Sequence, residues 1–270
     1  MALLMRIAAM FAVAVLARIA KFFASVRQPS PPYQLYYFDL MGRAEFVRLM
    51  FTYANKTFVD VRLNVTEETF EAERTSLGVP RTDLVLPTLS RPILLVNGKV
   101  RLIGSMPIGR FLDRELGLAK YDGIQDAQLT MAGLRFRSMV ESMIRSDFYM
   151  YRALETPVYD TDKKEQWLKM KKMMSQFLPM FESDIKFNKN RTLPSSYPSF
   201  SWVDFALAEW VDRLMDYNEQ ILSEQHYLKE EFPSLFALYR DLILSNPRLR
   251  LFNQRRVVIA QRERETEEQQ

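Results

Sequence analysis

The sequence predicts a small α/β unit followed by an all-helical region. Short strand-like and helical patterns alternate between Tyr33 and Gly117. Within that stretch the dipeptide Asn97-Gly98 separates two apolar runs, which is typical of a β-hairpin. From Ile124 onward, apolar residues recur at helical spacing along most of the chain. An α/β segment followed only by helices favours two packed domains.

The α/β unit is predicted to follow the order βαβ, α, ββ, α. Its aromatic-rich first strand is YQLYYFD, and the helix RAEFVRLMFTYA carries one apolar stripe. Ser105 is predicted to cap the last helix, with Pro107 in the first turn. The predicted strands are 33–39, 57–63, 92–96 and 99–103, and the predicted helices are 43–54, 67–75 and 105–116.

Five helical stretches are predicted in the C-terminal part. The segment Ser201-Trp202-Val203-Asp204 reads as a capping box, with aspartate in the place of glutamate, before the apolar helix FALAEWV. The stretches are roughly 124–154, 161–186, 201–217, 233–244 and a short piece after 247.

The composition excludes several classes of site. The 270 residues include no cysteine and a single histidine, His226. A disulfide, a cysteine nucleophile, thioredoxin-type redox chemistry and a multi-histidine metal site are therefore not expected. The formal net charge of +4 comes entirely from the first 38 residues, and the remainder is neutral. This balance gives no support for nucleic-acid binding, which needs a basic patch on the folded part.

The first 32 residues form a hydrophobic leader and a proline-rich linker. Ile7 to Ala17 is an unbroken apolar run, shorter than the roughly 20 residues that span a bilayer. It suits a signal peptide or a weak membrane anchor within residues 2–24, and its spaced arginines also suit a mitochondrial presequence. We therefore expect a secretory or membrane-anchored location, with mitochondria as the alternative. Glycosylation sequons begin at Asn55, Asn64 and Asn190.

Three stretches resemble the sigma class of soluble glutathione transferases, which includes haematopoietic prostaglandin D synthases and many invertebrate enzymes. They are YQLYYFDLMGRAEFVRLMFTYANKTFVDVRL, then PILLVNGKVRLIGSMPIGRFLDREL, and finally SFSWVDFALAE with FPSLFALYRDLILSNPRLRLF. The resemblance implies a thioredoxin-like glutathione-binding domain at 33–117 and an all-α domain at 118–256. A charged tail follows at 257–270.

The resemblance also implies an active site. Tyr37, in the Tyr-Tyr-Phe motif that ends the first strand, matches the tyrosine that stabilises the glutathione thiolate. Arg43 matches an arginine beside the thiol, and Ser105, preceded by Gly104, matches the serine that holds the γ-glutamyl carboxylate. Pro92 matches the cis-proline that lets the backbone of Arg91 pair with the cysteinyl amide. Two further residues, Phe70 and Arg74, could grip the glycine end.

The sequence departs from the class pattern at several of these positions. Gly104 replaces a glutamine, and Met41 replaces an arginine. The stretch between Thr75 and Arg91 is longer than usual. The first long helix lacks the usual acids, one of which reaches the partner subunit's glutathione. The residues near those positions are Thr130, Leu134, Arg137 and Ser138.

Two functions therefore stay open. The first is an enzyme that conjugates glutathione to hydrophobic electrophiles, or a glutathione-dependent prostaglandin-type isomerase. Glutathione would lie on the α/β unit and a small apolar co-substrate on the helices. The second is a membrane-tethered, catalytically weak protein of the same fold that binds ligands or partners. The resemblance implies a homodimer in either case.

Overall fold

A computed structural model describes residues 31–64, 66–79, 91–146, 163–188, 200–222 and 227–253. The predicted leader, most of the long stretch before Arg91, the sequon at Asn190 and the charged tail lie outside these residues.

The α/β unit is built on one mixed sheet of four strands among the described residues: β1 (Tyr33–Phe38), β2 (Val59–Leu63), β3 (Ile93–Val96) and β4 (Val100–Ile103). The strand order is β2-β1-β3-β4. β1 runs parallel to β2 and antiparallel to β3, which pairs antiparallel with β4. Asn97 and Gly98 both have positive φ, 51° and 67°, as the predicted hairpin turn requires. Val96 pairs with Val100, so the connection between β3 and β4 contains three residues, one more than predicted.

Helices cover both faces of this sheet. They are α1 (Glu45–Tyr53), which follows a 3₁₀ turn at Gly42–Ala44, α2 (Glu67–Ser76) and α3 (Ser105–Glu115). On one face, Tyr33 contacts Phe51 of α1, with ring centroids 5.3 Å apart. On the other, Phe38 contacts Phe70 of α2 edge-on at 5.4 Å. Alternate residues of β1 therefore face opposite helical layers.

The rest of the described chain is helical. The capping box is confirmed, because the backbone N–H of Ser201 donates to Asp204 Oδ2 at 2.7 Å and the N–H of Asp204 donates to Ser201 Oγ at 3.4 Å. The helices are α4 (Gly123–Ser146), α5 (Lys163–Phe187), α6 (Trp202–Leu222), α7 (Tyr227–Glu231), α8 (Pro233–Tyr239), which continues as a π-helical turn (Arg240–Leu244), and α9 (247–253).

α6 is the central element of the core. Every residue from Trp202 to Leu214 is buried. The helices α1 and α3 of the α/β unit pack against it, and Tyr53 contacts the ring of Phe205 at 5.2 Å. The two parts of the chain therefore share one apolar junction centred on α6.

The predicted secretory or membrane-anchored location is contradicted. Across the described ranges, no helix combines the length and apolarity needed to cross a bilayer. The segment 2–24 that suggested an anchor lies outside those ranges.

Candidate active site

A cleft of about 180 Å³ opens between the α/β unit and the helices. One wall comes from the turn before α1, the residue before the cis-proline and the start of α3, and the other comes from α4 and α6. The lining residues are Gly42, Arg43, Phe46, Arg91, Ile103, Gly104, Ser105, Met106, Pro107, Phe136, Arg137, Val140, Glu141, Glu209, Trp210 and Arg213. Four of the eight predicted site residues are among them.

Tyr37 lies at the end of β1 and is one hydrogen bond from the cleft. Its hydroxyl oxygen accepts the backbone N–H of the lining residue Arg43 at 3.2 Å. The side chain is only 5% exposed. The neighbouring Tyr36 points to the opposite face, as strand geometry predicts, and its hydroxyl donates to Gln34 Oε1 at 2.8 Å. Burial, and to a lesser degree the charge of Glu73, raise the pKa of Tyr36.

The start of α3 lines the cleft on the side of the α/β unit. Gly104 has a φ of 88°, a conformation that favours glycine, and it is the N-cap residue of α3. The prediction that Ser105 caps this helix is therefore wrong, since Ser105 is its first helical residue and the cap makes no side-chain hydrogen bond. The backbone N–H groups of a helix's first turn, together with a serine hydroxyl, can bind an anion.

The Arg91–Pro92 peptide bond is cis, as the resemblance predicts. The backbone N–H of Gly104 donates to the carbonyl oxygen of Pro92 at 2.8 Å and links this turn to the start of α3. The guanidinium of Arg91 lies 4.7 Å from the ring centroid of Phe38 and 4.9 Å from that of Phe70. Stacking between two rings fixes this arginine at the edge of the cleft.

Phe70 and Arg74, predicted to grip the glycine end, are not among the described residues that line this cleft. Phe70 is 1% exposed and packs inside the sheet–helix core. Arg74 is also buried; its guanidinium binds Glu71 at 2.7 Å and donates to the carbonyl oxygen of Val79. Phe70 therefore packs α2 against the sheet, and Arg74 holds the residues that follow α2.

The helical wall combines aromatic and charged side chains. Phe136 and Trp210 contact each other edge-on, with centroids 6.3 Å apart. Arg137, one of the residues near the positions of the missing acids, does line the cleft and pairs with Glu141 at 2.7 Å. By contrast, Thr130, Leu134 and Ser138 line a separate groove between α4 and α5.

Sequence reasoning missed a buried ion pair on α6. Arg213 and Glu209, four residues apart, are each 2% exposed and hydrogen-bonded to each other. Their spacing is a visible signal, since residues at i and i+4 are neighbours on a helix. Their position in the cleft depends on how α6 packs against the α/β unit.

Comparisons with known proteins agree with this architecture. No protein-family model matches the chain. A Caenorhabditis elegans protein described as probable glutathione S-transferase 8 is 27% identical over 223 residues, which cover 81% of this chain and 93% of that protein. The hematopoietic prostaglandin D synthase of Gallus gallus is 28% identical over 231 residues, covering 84% of this chain and 97% of the enzyme. The chain is a distant relative of the glutathione S-transferases.

A solved structure places the fold in the same group. The Pi-class glutathione S-transferase of Onchocerca volvulus superposes with a TM-score of 0.63, at 22% identity, and covers 84% of this chain and 95% of its own. The chain therefore has the glutathione S-transferase fold, a thioredoxin-like domain followed by helices. In this fold the cleft lies where the two parts of the chain meet.

Proposed function

We propose that the protein is a sigma-type glutathione transferase that joins the glutathione thiolate to hydrophobic electrophiles. The observation that carries this proposal is the position of the Tyr37 hydroxyl. It accepts a hydrogen bond from the backbone N–H of Arg43 at the margin of a cleft that Ser105 also lines. The related reaction, glutathione-dependent isomerisation of a prostaglandin-type endoperoxide, is supported by the similarity to the chicken prostaglandin D synthase.

The chemistry depends on the ionisation of the thiol. A free thiol with a pKa of about 8.5 is mostly protonated at pH 7, whereas the thiolate is the nucleophile. A hydroxyl that donates a hydrogen bond to the sulfur favours the charged form. Lowering the thiol pKa by ~2 units corresponds to roughly 2.7 kcal/mol. Tyr37 is assigned this role because its hydroxyl is held at the cleft margin.

The remaining contacts are proposed from the family resemblance, and the residues that line the cleft are consistent with them. Ser105 and the first turn of α3 are assigned to the γ-glutamyl carboxylate, Arg43 to the region of the thiol and the Arg91 backbone to the cysteinyl amide. The apolar co-substrate is assigned to the helical wall beside Phe136 and Trp210. These side chains offer aromatic surface to a hydrophobic electrophile.

The experiment that tests this proposal measures conjugation of glutathione to chlorodinitrobenzene by the purified chain. We expect Tyr37→Phe to lower kcat/KM by at least about tenfold at pH 7, because each unit of thiol pKa changes the thiolate fraction tenfold. Tyr36→Phe is the matched control, since it removes a hydroxyl from the opposite face of the same strand. Equal activity of Tyr37→Phe and the wild type would overturn the assignment.

A second candidate is a binding protein of the same fold with weak or absent turnover. Gly104 favours it, because the residue before Ser105 has no side chain with which to hold glutathione. Binding of glutathione and of apolar ligands without detectable conjugation would support this candidate. Robust conjugation would exclude it.

We also propose that the protein forms a homodimer. An apolar groove between α4 and α5 supports this, with Met131, Leu134 and Met180 about 40–50% exposed. The neighbouring Phe177 continues the same apolar surface. Burying such side chains against a second subunit would remove apolar area from water.

A further inference from the structure

The peptide group between Gly42 and Arg43 is contacted at both of its ends. Arg213 Nη2 of α6 donates to the carbonyl oxygen of Gly42 at 2.6 Å. The N–H of the same peptide group, which belongs to Arg43, donates to the Tyr37 hydroxyl at 3.2 Å. A continuous chain of hydrogen bonds therefore runs from a cation in the helical region to the proposed catalytic hydroxyl.

The carboxylate of Glu209 holds the guanidinium of Arg213 beside this peptide group. Glu209 holds the guanidinium through two contacts, with Nη2 2.9 Å from Oε2 and Nε bonded to Oε1. Both side chains are 2% exposed, so solvent does little to screen them. Gly42 has a positive φ of 42°, which favours glycine, at the turn that directs this carbonyl toward α6.

The carbonyl oxygen of Gly42 also accepts the backbone N–H of Glu45, so that it has two donors. The charged groups around the peptide are Arg43 and Glu45 in the turn itself, Arg48 beside Glu45, and the pair on α6. The cationic end of the α6 pair makes the direct contact with the carbonyl oxygen.

A cation on a carbonyl oxygen strengthens the donor at the other end of the same amide. The C–N bond has partial double-bond character, so electron density drawn to the oxygen leaves the N–H more polar. Hydrogen bonds in a chain polarise one another, by perhaps 10–30% per bond. A stronger N–H donor to the Tyr37 oxygen stabilises negative charge there and makes the O–H a better donor in turn.

We propose that Arg213, held by Glu209, is a positioning residue of the active site that polarises the Gly42–Arg43 peptide and strengthens the hydrogen bond offered by Tyr37. The effect of Arg213 on catalysis rests on the proposed function, in which the glutathione sulfur accepts the hydrogen bond from Tyr37. The helical region would then tune the nucleophile as well as bind the co-substrate.

The test measures the phenol of Tyr37 directly, without turnover. Tyrosinate absorbance is titrated in each protein and in its Tyr37→Phe counterpart, and the difference gives the pKa of this one hydroxyl. The variant is Glu209→Gln with Arg213→Met, which removes both charges and avoids an unpaired buried carboxylate. We expect the phenol pKa to rise by about one unit in this variant.

The control is Arg240→Met with Asp241→Asn, which removes an Arg–Asp pair at 2.8 Å on the π-helical turn after α8, away from the cleft and from the groove between α4 and α5. It should leave the phenol unchanged. An unchanged phenol pKa in the Glu209→Gln, Arg213→Met variant would overturn the proposal, and so would an equal rise in the control. Circular dichroism and thermal unfolding confirm that each variant is folded before titration.

A second measurement connects the hydrogen-bond chain from Arg213 to Tyr37 with catalysis. The pKa seen in the pH profile of kcat/KM should rise together with the pKa of the phenol. This rise should be absent in the Tyr37→Phe background, because a double-mutant cycle measures the coupling between the two sites. A shift that persists without the Tyr37 hydroxyl would overturn the proposal. Absence of any conjugation by the wild type would instead refute the proposed function, while the phenol titration still decides the role of Arg213.

Discussion

Asp113 of α3 accepts a hydrogen bond from the backbone N–H of Trp202, the first residue of α6, at 3.2 Å. Both residues are almost completely buried, and they are 89 positions apart in the chain. The contact therefore ties the last helix of the α/β unit to the central helix of the core. It supplies an acceptor for one of the N–H groups that a helix start leaves without an intrahelical partner.

We predict that this contact makes stability depend on pH. Burial raises the pKa of Asp113 from 3.8 to about 7, although the Trp202 N–H opposes the rise. Between about pH 4 and 7 the folded chain holds a proton that the unfolded chain has released. The free energy of unfolding should therefore fall as pH rises through this window and level off above it. The loss is a few kcal/mol, at about 1.4 kcal/mol per unit.

Asp113→Asn tests this, because an amide keeps an oxygen for the Trp202 N–H and does not ionise. Its free energy of unfolding, measured in urea from pH 4 to 8, should lack the fall. Asp122→Asn, at the exposed start of α4, is the control and should keep it. Parallel curves for Asp113→Asn and the wild type would contradict the assignment.

We predict that Gly133→Ala destabilises the junction of α4 and α6. A Cβ at this position would lie 2.1 Å from Cη2 and 2.9 Å from Cζ2 of the buried Trp202. Overpacking of this kind costs about 1–3 kcal/mol, more than the gain of about 1 kcal/mol in helix propensity. Gly123→Ala is the control, because no atom lies within 4 Å of its added Cβ. Equal urea midpoints for the two variants would show that Trp202 moves aside without cost.

We predict that Arg48→Ala lowers the free energy of unfolding by about 3–5 kcal/mol, as removal of one partner of a buried ion pair does. Arg48 is fully buried and binds Glu45 at 2.8 Å, Asp60 at 3.0 Å and the carbonyl oxygen of Leu40 at 2.8 Å. Arg62→Ala is the control, since Arg62 shares Asp60 but is 39% exposed and contributes about 0–1 kcal/mol. Equal losses measured in urea would show that the buried network is not what stabilises this turn.

We predict that Leu134→Arg weakens the proposed dimer. The Leu134 side chain is 51% exposed in the groove between α4 and α5. An arginine at this position would be buried in the proposed dimer interface without a partner for its charge, which costs free energy. Sedimentation velocity should show a concentration-dependent dimer for the wild type and a monomer for the variant. Ile124→Arg, 75% exposed and outside that groove, should remain dimeric. A wild type that is monomeric at all concentrations would refute the dimer.

The α/β unit could be predicted closely because its signals are local. The apolar stripe of α1 and the Asn97-Gly98 turn each follow from a few neighbouring residues, and the structure places both where the sequence indicates. The same holds for the capping box at Ser201. Such patterns depend on backbone geometry over one turn or one strand.

Features that depend on packing between distant segments could not be read in this way. The sequence suggests Phe70 and Arg74 as ligand contacts but does not show that both side chains are buried when α2 packs in the fold. The spacing of four residues between Glu209 and Arg213 is visible in the sequence, but the contact of Arg213 with Gly42 spans 171 positions. The cap of α3 lies at Gly104, one residue before the predicted Ser105, because the positive φ of Gly104 cannot be seen in the sequence.

The most direct test of the central claim is a calorimetric titration of reduced glutathione into the full chain, alongside Tyr37→Phe. We predict saturable binding with Kd between about 1 μM and 1 mM. We also predict that binding to the wild type near neutral pH releases a proton, measured as a dependence of the heat on the buffer, and that this release is lost in Tyr37→Phe. Absence of binding at several millimolar, or equal proton release by both proteins, would contradict it.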